Sequence, residues 1–579
     1  MTLSVESPNA DRDFLPDIRR PGWLAVGIAM VFAFAIAPVL PWSQFTGGME
    51  GLNVATALES HREGNWLLPT LTGEPRTHKP PLASWITALM IDAELRPALN
   101  QPDPMLREAA YVQLAWRVRM VALLAGTIAL LCVYDIGRTL AGWRAGIIAL
   151  GVCGSSALLL RHVRSAGYDV FLLMFAALAN AALLRALVHQ DGRWLLAAGA
   201  GIGLGILTKG PVILLQTILP ALAWAWWMRR RETPVRVGRP WLAGGVLVLL
   251  LAGLPWFVYV ALAEAGAIER WTVEVTRQGV TDLSSSSLLQ YLQMIPMMTP
   301  WAVLFVAGAV VIWQQRRTAE GAKLMWALLA GMLPLVVMTL FRDRKERYML
   351  PMVVPASVVV SAAMLAHLRT WRAWMPADRW CVTLHWALLA IIAIGVPVAG
   401  ALGVDRLTTR GGLPWWSLPV AVMIAPLLSA VIGVSAWIHA RRWPGGILIG
   451  TAAPMLVVFA MLMYGYASSS EGRSPLRSLT DAIRAIGRPV VVVHNLAYPE
   501  RPPEEVSIYL NQTIRRVGGP NEIARDDMVL ITRERTSDPL PPPDVRGWER
   551  IAEAQEGRSR YGAWRLRSPE QPQPDRKPH

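Results

Sequence analysis

"WLLAAGAGIGLGILTKGPVILLQTILPALAWAWWMRRR" occupies residues 194–231. Two apolar runs, 194–208 and 211–228, meet at Lys209-Gly210-Pro211, and the second ends in three consecutive arginines. A helix needs about 20 apolar residues to cross a bilayer, so both runs read as spans, the first a short one. Gly210 and Pro211 punctuate the turn between them. Basic residues gather in cytoplasmic loops. The run MRRRETPVRVGRP (228–240) therefore marks its end of the bundle as the inside and puts Lys209 outside. A lysine at the outer mouth of two spans stands where basic residues are scarce.

The whole chain agrees with a membrane reading. Its 579 residues are 53% hydrophobic and only 17% charged, against about 25% charged in soluble domains. The 26 Trp suit the aromatic belts at lipid headgroups. The net charge of +15 is read as loops that set orientation beside anionic lipid, not as a nucleic-acid signal. Cys132, Cys153 and Cys381 each lie in apolar runs and read as small core residues rather than a disulfide or a metal site. The N-terminus lacks a small-residue cleavage site, so the first apolar run is expected to be retained as a span.

Thirteen candidate spans follow: 23–41, 120–137, 142–160, 170–188, 194–208, 211–228, 241–262, 294–313, 324–341, 349–367, 381–403, 415–438 and 445–466. The expected architecture is a polytopic α-helical membrane protein with about 13 spans. A cytoplasmic tail (1–22) precedes a transmembrane domain (23–466) whose first outer loop is 42–119. Within that loop, 48–60 and 80–91 read as helices lying along the interface. After 467 the pattern changes. Helices at 474–487 and 504–514 and strands at 489–496, 527–535 and 562–568 predict a small extracytoplasmic α/β domain (467–568), followed by a disordered Pro-rich tail (569–579).

Lys209 is not the only base on the outer side. Arg161 and Arg164 lie in one short outer turn, and "FRDRKERYMLP" (341–351) brings Arg342, Arg344, Lys345 and Arg347 into another. Local pairing with Asp343 and Glu346 is one reading of that loop. An anionic ligand bound at the outer face is the other, and three such loops at once favour it. Ionisable groups at membrane depth usually face a cavity or a partner. Glu50, Lys79, Asp169 and Lys209 all sit at outer span boundaries. Arg and Lys are the residues that hold phosphate. GAGIGLG (199–205) lies inside a span, where Gly permits close helix packing, and is not read as a nucleotide loop. No Ser/His/Asp order stands out. His61, His78 and His162 are scattered, so neither a metal nor a cofactor is called for.

Several of these stretches resemble the GT-C glycosyltransferases that use a polyprenyl-phosphate sugar, in particular the aminoarabinose (lipid A) transferases and the protein O-mannosyltransferases. MEGLNVATALESHREGNWLLP (49–69) looks like the family's first-loop segment, and THKPPLASW (77–85) resembles its Glu-Lys-Pro-Pro-Leu element. RSAGYDVFLLMF (164–175) is similar to a third-loop stretch with one Asp. GLGILTKGPVILL (203–215) resembles the Thr-Lys-Gly-Pro turn, and RKERYMLPMVVP (344–355) the element ending in Ile-Leu-Pro. The likeness runs along nearly the whole chain. Two departures stand out. Met49-Glu50 replaces the family's Asp-Glu, and His78 replaces the Glu before Lys-Pro. In the protein mannosyltransferases the missing Asp is the presumed general base.

The resemblance implies a membrane enzyme of the bacterial cytoplasmic (inner) membrane with its active site facing the periplasm. It implies transfer of a monosaccharide from a polyprenyl-phosphate donor to a lipid, glycan or protein acceptor. Lys79, Lys209, Arg344, Lys345 and Arg347 are then the candidates to stabilise the leaving phosphate. Glu50 and Asp169 are candidates for acceptor orientation, base chemistry or stabilising the sugar ring. His78, Tyr348 and Arg164 are candidate substrate contacts. Two other classes stay open at this point: a membrane transporter or flippase, and a scaffold in which Met49 has removed catalysis.

Overall fold

The computed structural model describes residues 19–77, 79–231, 237–277, 298–339, 345–369, 380–392, 395, 427, 431–435, 445–468, 473–487, 490–494, 504–517, 528–535, 548–556 and 559–566. The chain divides into two compact units. The first comprises Met1–Leu40, His78–Ala83 and Arg119–Gly465; the second comprises Pro41–Thr77, Ser84–Val118 and Tyr466–His579.

Helices build the first unit. Among the described residues, seven helices are long and apolar enough to cross a membrane, or nine if two bent pairs each count as one span. The run 194–208 is a helix of 16 residues, Trp194–Lys209, and 294–313 is represented by the shorter Ala302–Gln315. The described part of 381–403 is the shorter apolar helix Trp380–Ile392, and most of 415–438 lies outside the described residues. Seven to nine of the thirteen expected spans are thus met among the described residues; the others are short there or lie partly outside them.

The breaks have local causes. Trp143–Gly154 and Ala157–Val163 meet at 62° across Ser155-Ser156. The Ser155 hydroxyl donates back to the Gly151 carbonyl at 2.7 Å and accepts the Trp301 indole N–H at 2.9 Å. The Ala157 N–H freed by the break donates to the Thr299 carbonyl at 3.0 Å. Backbone released inside a membrane bundle must find partners of this kind. The other bent pair, Arg239–Gly253 and Pro255–Ala263, turns by 40° where Pro255 cannot extend the first helix.

The glycines of GAGIGLG serve packing. A Cβ at Gly199 would stand 2.1 Å from the Gly245 carbonyl oxygen, so Trp194–Lys209 and Arg239–Gly253 touch backbone to backbone. Small residues at such crossings are what membrane helix pairs require. Gly199→Ala is expected to lower the melting temperature of the detergent-purified protein, with overpacking costing about 1–3 kcal/mol. An unchanged melting curve would mean that the crossing is looser than described.

The second unit has its own core. Leu476, Leu479 and Ile483 on one face of the helix Arg477–Ala485 meet Val506, Leu510, Val529, Ile531, Tyr561 and Ala563. A small hairpin, β1 (Thr70–Leu71) with β2 (Glu74–Pro75), turns through Thr72 and Gly73, both at positive φ. The two turn amides donate to the Glu59 carboxylate at 2.9 Å each. The main sheet holds β3 (Val490–His494), β4 (Arg515–Val517), β5 (Met528–Arg535), β6 (Trp548–Glu556) and β7 (Ser559–Leu566). Their order is β4-β3-β5-β7-β6, with β3 parallel to both neighbours and the β5-β7-β6 ribbon antiparallel. Helix Met49–Glu63, expected to rest one face on lipid, is buried almost all round within this unit from Val54 to Ser60.

Candidate active site

The turn at the end of Trp194–Lys209 fixes one lysine. Gly210 has φ +80 and ψ −163, a backbone that L side chains rarely adopt, and its N–H closes on the Ile206 carbonyl at 2.8 Å. Pro211 then opens the short helix Val212–Gln216. The Thr208 hydroxyl turns inward onto the Leu204 carbonyl at 2.8 Å. Lys209 is left pointing from the helix end, its side chain only 7% exposed.

Asp169 receives it. This carboxylate stands in the first turn of Tyr168–Val188, whose N-terminal dipole favours negative charge. Its side chain is 6% exposed, and Oδ1 accepts from Lys209 Nζ in a short ion pair. Arg347 Nε lies 3.8 Å from Oδ2 of the same carboxylate. Both cations share one aromatic ring: Lys209 Nζ is 4.5 Å, and Arg347 Cζ 5.5 Å, from the centre of Tyr348. Arg347 and Tyr348 come from a 3-10 segment, Glu346–Met352, that leads into Val353–Arg369. Arg161, near the end of Ala157–Val163, closes the group by pairing with Glu346 at 2.7 Å. Lys345 and Arg347 both stand near enough to act on the charge of Lys209.

Among the described residues, Arg161, Lys209, Lys345 and Arg347 gather around Asp169 and Glu346. Two of these side chains are almost wholly buried, and an ion pair so placed carries a desolvation cost that Coulomb attraction barely repays. Such an arrangement is a weak way to stabilise a fold.

The sequence-derived candidates divide as follows. Asp169, Lys209, Lys345, Arg347 and Tyr348 come together in this group. Arg164 is half-buried at the end of Ala157–Val163, and Lys79 half-buried just before Leu82–Ala88, both in the first unit. Glu50 is half-buried in the first turn of Met49–Glu63, in the second unit. His78 and Arg344 lie outside the described residues. Arg161 is the member that the candidate set left out, although it satisfied the criterion that singled out Lys209, a base in an outer turn. Glu346 pairs across to Arg161 on another helix at 2.7 Å. Among the described residues no group of three or more His, Cys, Asp or Glu side chains is placed to hold a metal ion.

Residues 111–259 match the family described as dolichyl-phosphate-mannose-protein mannosyltransferase. An undecaprenyl phosphate-α-4-amino-4-deoxy-L-arabinose arabinosyl transferase of Pseudomonas aeruginosa is 26% identical over 393 residues, 63% of this chain and 66% of the relative. The match therefore spans just under two thirds of that relative's length. A transferase of the same description from Pseudomonas fluorescens is 28% identical over 203 residues, 34% of this chain and 36% of that one. The fold is shared with a crystal structure of ArnT from Cupriavidus metallidurans bound to undecaprenyl phosphate. The TM-score is 0.69 over 94% of this chain and 98% of that one, at 17% identity. The chain is a polytopic helical membrane protein that shares the fold of that ArnT structure.

Proposed function

We propose that this protein is a membrane glycosyltransferase that moves a monosaccharide from a polyprenyl-phosphate donor to an acceptor on the outer face of the cytoplasmic membrane. The observation that carries the proposal is the buried, cation-rich group at Asp169, Lys209 and Arg347. The group stands on a fold shared with a protein crystallised with undecaprenyl phosphate.

The orientation rests on charge. Lys209 ends one helix, and Asp169 begins the helix running antiparallel to it. The opposite ends of those helices carry Arg185 and Arg193, and the helix Ile218–Arg229 runs out into Arg229, Arg230 and Arg231. That basic end is the cytoplasmic one by the orientation rule. The site then faces the periplasm.

In the reaction, an acceptor oxygen attacks the anomeric carbon while the bond from that carbon to the phosphate oxygen breaks. Negative charge grows on the leaving phosphate and positive charge on the ring. Lys209, Arg347 and Lys345 neutralise the phosphate, with Lys79 and Arg344 as further candidates. Preorganised cations aimed at developing charge are a large source of rate. Asp169 orients Lys209 and Arg347, and Tyr348 sets the plane between them. Glu50 takes the place of the family's missing acid next to Met49, as base or acceptor clamp. An acceptor that is already ionised, such as a phosphate or carboxylate, would need no base at all.

Mass spectrometry of membrane lipids and envelope glycans, with and without the gene, tests this directly. A sugar-sized mass difference on a lipid, glycan or protein is expected; identical envelopes under expression would contradict the proposal. Arg347→Ala is expected to cut the gene-dependent product by about 100-fold or more at unchanged protein level, with Arg347→Lys recovering part of it. Full product from Arg347→Ala would remove Arg347 from the phosphate clamp.

A further inference from the structure

The stretch that leads into the Glu50 helix is held by residues far away in the chain. The Tyr509 hydroxyl accepts the Phe45 N–H at 2.8 Å and donates to the Phe45 carbonyl at 3.1 Å. Glu505, which is buried, accepts the Gly47 N–H on one oxygen and the Ser474 hydroxyl on the other. Glu504 accepts the Gly48 N–H at 3.1 Å. The Ser474 N–H donates to Gln44 Oε1 at 3.0 Å. Met49–Glu63 has no side-chain cap of its own, and its preceding residue, Gly48, sits at φ +94. A Cβ added at Gly51 would stand 3.0 Å from Glu504 Cγ, so the two elements fit closely.

These bonds are concentrated. Those to the backbone of Phe45, Gly47 and Gly48, just ahead of Glu50, all come from the helix Glu504–Leu510. Hydrophobic contact would be enough to dock a domain. Two carboxylates and a phenol aimed at three amides of one short stretch do more, because they tie its backbone at Phe45, Gly47 and Gly48. A reacting group displaced by about 1 Å loses rate on the order of 100-fold.

We propose that Glu504, Glu505 and Tyr509 are positioning residues: the C-terminal domain sets the Phe45–Glu50 segment so that Glu50 meets the acceptor in a fixed place. This rests on the role given to Glu50 above. The test is complementation of cells lacking the gene with Glu50→Gln, Tyr509→Phe, Glu505→Ala and Glu505→Gln. Gene-dependent product is measured per folded protein, alongside melting temperature and retention of added undecaprenyl phosphate by the purified variants. Tyr509→Phe keeps the ring and removes both bonds to Phe45. Glu505→Gln keeps an oxygen for Gly47. Product is expected to fall at least about tenfold, toward the 100-fold limit of misplacement, in Tyr509→Phe and Glu505→Ala. Glu505→Gln should restore most of it, and undecaprenyl phosphate retention should be unchanged in all four. Loss of product in Glu50→Gln with full product in both Tyr509→Phe and Glu505→Ala would overturn the positioning role alone. So would a loss that only tracks melting temperature. Full product in Glu50→Gln would instead remove Glu50 from the reaction, and the positioning role with it.

Discussion

Lys209→Ala is expected to lose gene-dependent sugar transfer by at least about 100-fold, the cost of removing one preorganised charge-stabilising group. The substitution takes away the most deeply buried cation of the site. It also leaves Asp169, 6% exposed, without its nearest ion partner. Removing one member of a buried pair typically costs about 3–5 kcal/mol of stability, so the melting temperature should fall as well. Transfer assays per folded protein separate the two effects. Retained transfer at any level of stability would take Lys209 out of the mechanism.

The second large effect separates structure from chemistry. Asp169→Asn combined with Lys209→Met removes both charges and keeps the volumes close. Replacing a buried ion pair by neutral groups is often neutral or stabilising. The double variant should therefore recover most of the melting temperature lost by Lys209→Ala. Its transfer activity should stay at the level of the single variant, because no cation has returned to meet the phosphate. Activity that recovered together with stability would make the pair a structural strut.

Much of this was legible in the sequence for physical reasons. The bilayer forces long apolar runs, so a membrane helical bundle could be read from composition and length. The Thr208–Pro211 turn could be read because only Gly tolerates the backbone that Gly210 adopts. Basic residues in the outer turns stood out against the orientation rule, and Lys209, Lys345 and Arg347 indeed gather together. The pairing itself was not legible. Asp169 and Lys209 are separated by 40 positions, and nothing in either segment names the other. The ties between Tyr509 and Phe45 span 464 positions, and backbone amides leave no mark in the side-chain pattern. Strand β6 (WERIAEAQE) was missed because, among the described residues, it pairs on one side only and it carries Glu549, Arg550, Glu553 and Glu556. Hydropathy also cannot see a bend, so the breaks at Ser155-Ser156 and Pro255 were not legible.

Native mass spectrometry of the purified protein with undecaprenyl phosphate, and in parallel with the uncharged alcohol undecaprenol, probes the cation site most directly. The wild-type protein should retain one undecaprenyl phosphate and release undecaprenol, and Lys209→Ala and Arg347→Ala should each lose that retention. Equal retention of the phosphate and the alcohol, or of the phosphate by wild type and both variants, would mean that these cations do not hold a lipid phosphate.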